Sequence, residues 1–159
     1  MKNLKNYNIK NKKILFRADL NVPLVDGVIT DISRIQAIKS SIEILISNKN
    51  KIFLIAHFGR PKGEIVNKYS LNFILPSLKE ILNLDKIYFL DSLDRDSVEK
   101  KINEMQASNL CLVENIRFFK EEENIDLNFV KKISSLFDVY VNDAFSASHR
   151  NHTSITGFP

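Results

Sequence analysis

Five short apolar runs, separated by stretches of helical periodicity, limit most tightly what this chain can fold into. They cover residues 12–18, 51–56, 86–90, 109–114 and 138–142, and each is apolar on both faces, as strands buried on two sides are. The intervening stretches 33–47, 72–82, 94–105 and 126–136 read as amphipathic helices, the first with Ile35, Ile38, Ile42 and Leu45 on one face. Thr30 and Asp31 are candidate caps for the first helix, and Pro76 fits only if it falls in the first turn of the second. Strand and helix alternation of this kind predicts an α/β fold: a three-layer αβα open parallel sheet, Rossmann-like in architecture, with ligands bound outside the carboxyl ends of the strands.

At 159 residues and 44% hydrophobic, the chain is of a size to form one domain over residues 1–159. The single cysteine, Cys111, lies in the apolar run Leu110-Cys111-Leu112-Val113 and has no disulfide partner, which suits a reducing cytosol and a buried structural thiol. No apolar run approaches the roughly 20 residues of a membrane helix, and the start Met1-Lys2-Asn3-Leu4-Lys5-Asn6 lacks a signal-peptide core, so a cytoplasmic protein without membrane partners is expected. The net charge of +4 comes from scattered lysines with no long basic run and no base-stacking motif, which argues against nucleic acid. Residues 59–70 read as an exposed loop. The final Thr156-Gly157-Phe158-Pro159 reads as the opening of a further element, so the domain is expected to be incomplete at its carboxyl end.

The candidate chemistry sits just beyond the strand ends. Arg34-Ile35, His57-Phe58-Gly59-Arg60-Pro61, Glu114-Asn115-Ile116-Arg117 and Asn142-Asp143-Ala144-Phe145 with His149-Arg150-Asn151-His152 place arginines and histidines far apart in sequence beside predicted strand ends or turns. Guanidinium forks that converge there match phosphate or carboxylate oxygens, which points to a small, doubly anionic ligand. With four glycines, no G-x-x-x-x-G-K-[ST] loop and no G-x-G-x-x-G turn, the chain offers no evident cradle for a nucleotide triphosphate. His149-x-x-His152 with Asp143 lacks the further ligand that a zinc site needs, and no G-x-S-x-G elbow supports Asp143, Ser146 and His149 as a hydrolase set. Asp19 and Asn21, two apart at the end of the first strand, point the same way if the backbone stays extended; turn-capping is the competing reading.

The chain resembles phosphoglycerate kinase. The resemblance rests on Phe16-Arg17-Ala18-Asp19-Leu20-Asn21-Val22-Pro23-Leu24, on Gly27 to Asp31 leading to Arg34-Ile35, on His57 to Gly63, on Glu114 to Phe118, and on Asn142 to Phe145 with His149 to His152. It covers the amino-terminal half of that family's chain. Ala56, Ser40 and Ser146 depart from residues common in the family, and none removes a charged group.

The resemblance implies one half of a two-domain glycolytic kinase, transferring a phosphoryl group between ATP and the carboxylate of 3-phosphoglycerate to give 1,3-bisphosphoglycerate and ADP. Asp19 and Asn21 are then expected at the substrate's hydroxyl and carboxylate region. His57, Arg60, Arg117 and Arg150 surround its phosphate with His152 beside them, and Arg34 is the catalytic cation nearest the moving phosphoryl group; its competing role is an ion pair with Asp31 or Glu43. ATP/ADP and magnesium belong to the other domain, leaving no cofactor or metal site here and no turnover by this chain alone. The full-length family member is expected to be monomeric, the isolated half to self-associate. A noncatalytic anion-binding module is the alternative.

Overall fold

The computed structural model describes residues 4–144 and 152–158. Five parallel strands form one sheet: β1 (Lys13–Arg17), β4 (Lys51–Ile55), β5 (Tyr88–Leu90), β6 (Leu110–Val113) and β7 (Val139–Asn142), in the order β5-β6-β4-β1-β7. β4 is central, and β1 lies between it and the edge strand β7, with Ile14 opposite both Ile52 of β4 and Val139 of β7. The five expected strands are present, trimmed by one or two residues at most ends.

Strict alternation of side chains sorts the core into two layers. Ile14 and Phe16 of β1, Ile52 and Leu54 of β4, and Leu110 and Leu112 of β6 face one layer with α1 (Ser33–Ser47) and α2 (Leu75–Leu82). Leu15, Phe53, Ile55, Cys111 and Val113 face the other, with α3 (Arg95–Glu104) and α5 (Leu127–Ser134). Both faces are thereby covered, which is why the strands read as unbroken apolar runs. Cys111 is fully buried, and desolvation pushes its thiol up to about 12, so it is an inert core residue. Among the described residues no helix is long and apolar enough to cross a membrane.

Several local features depart from the sequence expectations. Neither Thr30 nor Asp31 occupies the α1 cap. Ile32 does, without a side-chain bond, while the Asp31 carboxylate accepts from the Ser33 N–H at 2.7 Å. The stretch 72–82 begins as a 3-10 turn, Leu71–Ile74, and becomes α-helical only at Leu75, with Pro76 in the first turn, where its missing N–H costs nothing. Two elements were not expected: a small hairpin of β2 (Leu24–Val25) and β3 (Val28–Ile29), and the short helix α4 (Lys120–Glu123). The hairpin turns on Asp26 and Gly27 with φ of 50° and 79°, the two left-handed positions of a type I′ turn.

The direction in which the chain leaves each strand locates the functional end. After β4 it passes to α2 on one face, and after β6 it passes to α4 and α5 on the other, so adjacent strands diverge and a crevice opens at their carboxyl ends. Residues 59–70 run over this crevice as a largely exposed loop closed by a 3-10 turn at Asn67–Tyr69.

Asp94 caps α3 and accepts from the Ser97 N–H at 2.9 Å. Hydrogen bonds from Ser92 and Ser97 hold its carboxyl down at about 2. Because the folded value lies below the unfolded one, the cap's stabilisation is complete above pH ~4 and fades as pH falls towards 2. Asp94→Ala is expected to cost about 1 kcal/mol at neutral pH, and urea unfolding across the acid range should show the two proteins converging.

Candidate functional site

The buried side chain of Asn115, just past β6, shapes the crevice. Its Oδ1 accepts from the N–H groups of Phe58 and Arg117, each at 3.2 Å, and its Nδ2 donates to the carbonyls of Phe58 at 2.7 Å and Tyr69 at 2.9 Å. One amide thus joins the ends of β4 and β6 to the far side of the 59–70 loop. Glu114 adds a second clamp, accepting from the Leu71 N–H and the Ser70 hydroxyl, both at 2.7 Å.

Gly59 stands at the mouth of the crevice. Its φ of +61° is left-handed, and a Cβ there would lie 2.5 Å from the Tyr69 ring. The Gly59 N–H donates to Asn21 Oδ1 at 3.0 Å, and its carbonyl accepts from Arg117 Nη1 at 2.7 Å. Arg117 is therefore held from above by a backbone carbonyl and is only 4% exposed, whereas Arg60, one residue on, is exposed.

The segment after β1 does not stay extended. Asp19 Oδ1 accepts from the Asn21 N–H at 3.1 Å, and the Val22 N–H bonds back to Leu20 O at 2.8 Å. The two side chains consequently diverge, Asn21 to Gly59 and Asp19 to Arg34, with which Asp19 forms an ion pair. Arg34 is thus paired with neither Asp31 nor Glu43; Glu43 lies 3.8 Å from Lys39 instead. Asp19 thus makes a turn contact and an ion pair at once.

Arg17, which precedes Asp19 in the Arg-Ala-Asp-Leu-Asn stretch, is 1% exposed at the end of β1. Its Nη2 lies 2.9 Å from His57 Nδ1, its Nε donates to Ser154 Oγ at 3.0 Å, and its Nη1 donates to the Ala18 carbonyl. Burial lowers its pKa, opposed by the negative charges of Glu122 and Asp19 and by Tyr140. Glu122 of α4 is 4% exposed; burial pushes its carboxyl up, and hydrogen bonds from Ser154 and the charge of Arg17 pull it back. His152 reaches this group, with Nδ1 3.7 Å from Glu122 Oε1. The π-type turn Thr153–Gly157 carries Ser154 into it.

Contacts therefore link Arg34, Asp19, Asn21, Gly59 and Arg117 in one chain at the sheet's carboxyl end, with Arg60 adjoining, and His57, Arg17 and His152 in a second beneath it. Arg150, with Ser146 and His149, lies outside the described residues. Nothing in the sequence singles out Glu122 or Ser154: Glu122 is one of three consecutive glutamates, and nothing in that run distinguishes the buried one. Asp143 accepts from the Ser41 hydroxyl at 3.2 Å. No group of three or more potential metal ligands occurs among the described residues. A separate depression of about 500 Å³ between α3 and α5 is lined by Asp94, Asp96 and Glu121 as well as Arg95 and Lys132, a mixed set without converging cations.

Known proteins share both the sequence and the fold. The family model for phosphoglycerate kinase matches residues 4–159. The phosphoglycerate kinase of Wolbachia pipientis wMel is 44% identical over 96% of this chain and 38% of its own length, and that of Finegoldia magna is 44% identical over 98% and 40%. The crystal structure of phosphoglycerate kinase from Pyrococcus horikoshii OT3 superposes with a TM-score of 0.86 at 30% identity, covering 99% of this chain and 40% of that one. The structure from Coxiella burnetii gives 0.81 at 30% identity over 94% of this chain and 37% of its own. The chain thus spans about 40% of the length of the relatives it matches, and it belongs to the phosphoglycerate kinase family.

Proposed function

We propose that this chain forms the acceptor half of a glycolytic phosphoglycerate kinase, binding 3-phosphoglycerate or 1,3-bisphosphoglycerate at the crevice between the ends of β4 and β6. The observation that carries this reading is the linked arrangement of Asp19, Asn21, Gly59 and Arg117, residues that follow three different parallel strands yet touch in sequence. In it, Asn21 and Asp19 meet the substrate's hydroxyl and carboxylate end, and His57, Arg60, Arg117 and Arg150 surround its phosphate, with His152 adjoining. A noncatalytic anion-binding module would share this geometry and differ only in lacking transfer when a nucleotide domain is supplied.

The acceptor carboxylate has a pKa near ~4 and is ionised at neutral pH, so its attack on the γ-phosphorus of ATP needs no general base. Catalysis then rests on alignment, exclusion of water and neutralisation of the transferring group. Arg34, 41% exposed on the first turn of α1 and tethered by Asp19, is the cation assigned to that group. ATP and its magnesium are assigned to a nucleotide-binding domain outside this chain, in a cytoplasmic setting. The whole enzyme is assigned a monomeric state, with nucleic acid and membranes excluded as partners.

Calorimetry is expected to show 3-phosphoglycerate binding to the isolated chain, and a coupled assay is expected to show no ATP-dependent transfer. Appreciable turnover by the pure chain would contradict the division between halves. Arg60→Ala and Arg117→Ala should each weaken binding by about 1.5 to 3 kcal/mol, the range for a hydrogen bond to a charged group. Arg117→Ala should also lower the melting temperature, because it deletes the Gly59 contact, while exposed Arg60 should leave stability unchanged. Arg34→Ala, placed in a full-length enzyme, should lower kcat more than it weakens ground-state binding.

Self-association of the isolated chain is assigned to β7. It borders the sheet among the described strands, all four of its residues are half-buried, and Leu4, Tyr7 and Ile9 line a depression beside it. An open edge flanked by apolar side chains promotes strand pairing. Sedimentation velocity over a concentration series should show reversible association, reduced by a lysine at Val141.

A further inference from the structure

Beneath the anion crevice lies a buried carboxylate that the substrate reading leaves without a task. Glu122 Oε2 accepts from the Ser154 N–H at 2.9 Å and Oε1 from the Ser154 hydroxyl at 2.6 Å. The same hydroxyl oxygen accepts from Arg17 Nε at 3.0 Å, and Arg17 Nη2 faces His57 Nδ1 at 2.9 Å. A serine hydroxyl has one proton, and arginine can only donate. With Glu122 ionised as the counter-charge of Arg17, the Ser154 proton belongs to the bond with Glu122, and donors and acceptors run in order from carboxylate to imidazole.

That order decides the state of His57. Nδ1 faces a group with five donors and no acceptor, so it must present its lone pair, and the ring proton resides on Nε2. A second proton on Nδ1 would meet a guanidinium N–H head-on. Arg17 can supply this fixed donor from a position 1% exposed only if its own charge is compensated. Glu122, 4% exposed, is the acid that contributes most to this, linked through Ser154, with Asp19 contributing less.

We propose that Glu122 and Arg17 are positioning residues: the chain Glu122–Ser154–Arg17 locks His57 as the neutral Nε2–H tautomer, so that this side chain offers the bound anion a directed donor. The proposal rests on the reading of His57 as a phosphate ligand. It gives a task to two residues that touch the site only through others, and it explains why one glutamate of three in α4 is turned inward.

The test is long-range proton–nitrogen correlation NMR on the chain with 15N-labelled histidine, in mildly alkaline buffer and without ligand. His57 is expected to show an unprotonated Nδ1 and a protonated Nε2. Ser154→Ala and Glu122→Gln, verified as folded by circular dichroism, are expected to replace that pattern with averaged shifts of two exchanging tautomers. Both should weaken 3-phosphoglycerate binding by roughly tenfold, equivalent to about 1.4 kcal/mol. A wild-type His57 protonated on Nδ1 would overturn the proposal without any variant, as would an unchanged Nε2–H pattern in both folded variants. The expected tautomer behaviour in a chain that binds no 3-phosphoglycerate would uphold the lock and overturn the ligand assignment instead.

Discussion

A charge buried at the end of β1 is the constraint around which the functional end is built. An arginine removed from water is costly unless its donors and its charge are both matched, and Arg17 is matched from several directions at once. Ala18 O comes from its own strand end, His57 from the end of β4, Ser154 from the turn after β7, and Glu122 from α4. If any one of these segments moved, a buried donor or charge would lose its partner. The segments are therefore held together by electrostatic necessity as well as by apolar packing. The Tyr140 hydroxyl, which donates to the Ser154 carbonyl, ties the same turn back to β7.

Above that layer the polar groups act on backbone. Asn115 fills both faces of its amide with main-chain partners, and Glu114 spends its carboxylate on the Leu71 N–H, the Asn115 N–H and the Ser70 hydroxyl. On the proposed reading, a negative charge beside an anion site would ordinarily oppose binding. Here it is screened by three donors and serves to bend the 59–70 loop back over the crevice, and the left-handed Gly59 presents both of its backbone groups to site residues. The loop is thereby shaped before any anion arrives, which reduces the ordering cost that binding would otherwise carry.

Much of this was legible in the sequence because period and punctuation are local signals. The five apolar runs are the five strands, and Ile35, Ile38, Ile42 and Leu45 are the buried face of α1. The hairpin was not anticipated: Asp26-Gly27 between Leu24-Val25 and Val28-Ile29 is a two-residue turn signal, but its strands are only two residues each and fall below the length at which alternation can be seen. What sequence could not supply were contacts set by topology. Arg17 reads as one more cation in an Arg-x-Asp-x-Asn motif, yet strand parity places it on the face of Leu15, towards α4 and Ser154, while the turn after Ala18 frees Asp19 and Asn21 from that parity. Glu122 and Ser154 lie 32 residues apart and meet only because the chain crosses from β6 round to the end of β7.

The cations of the site divide by exposure, and the division has a physical basis. Arg17 and Arg117 are buried and held by fixed acceptors, so their orientation is set by the fold. Arg34 and Arg60 lie nearer solvent, and the partner of Arg34 is Asp19 in a pair whose side chains are 41% and 13% exposed. Ion pairs at the surface contribute only about 0 to 1 kcal/mol, so an incoming carboxylate or phosphoryl oxygen can compete for the Arg34 guanidinium at little cost. A pair of that strength keeps the side chain near the crevice without committing it. On the proposed assignment, rigid cations suit a group that must be bound in one place, and a loosely tethered one suits a group whose charge moves during the reaction.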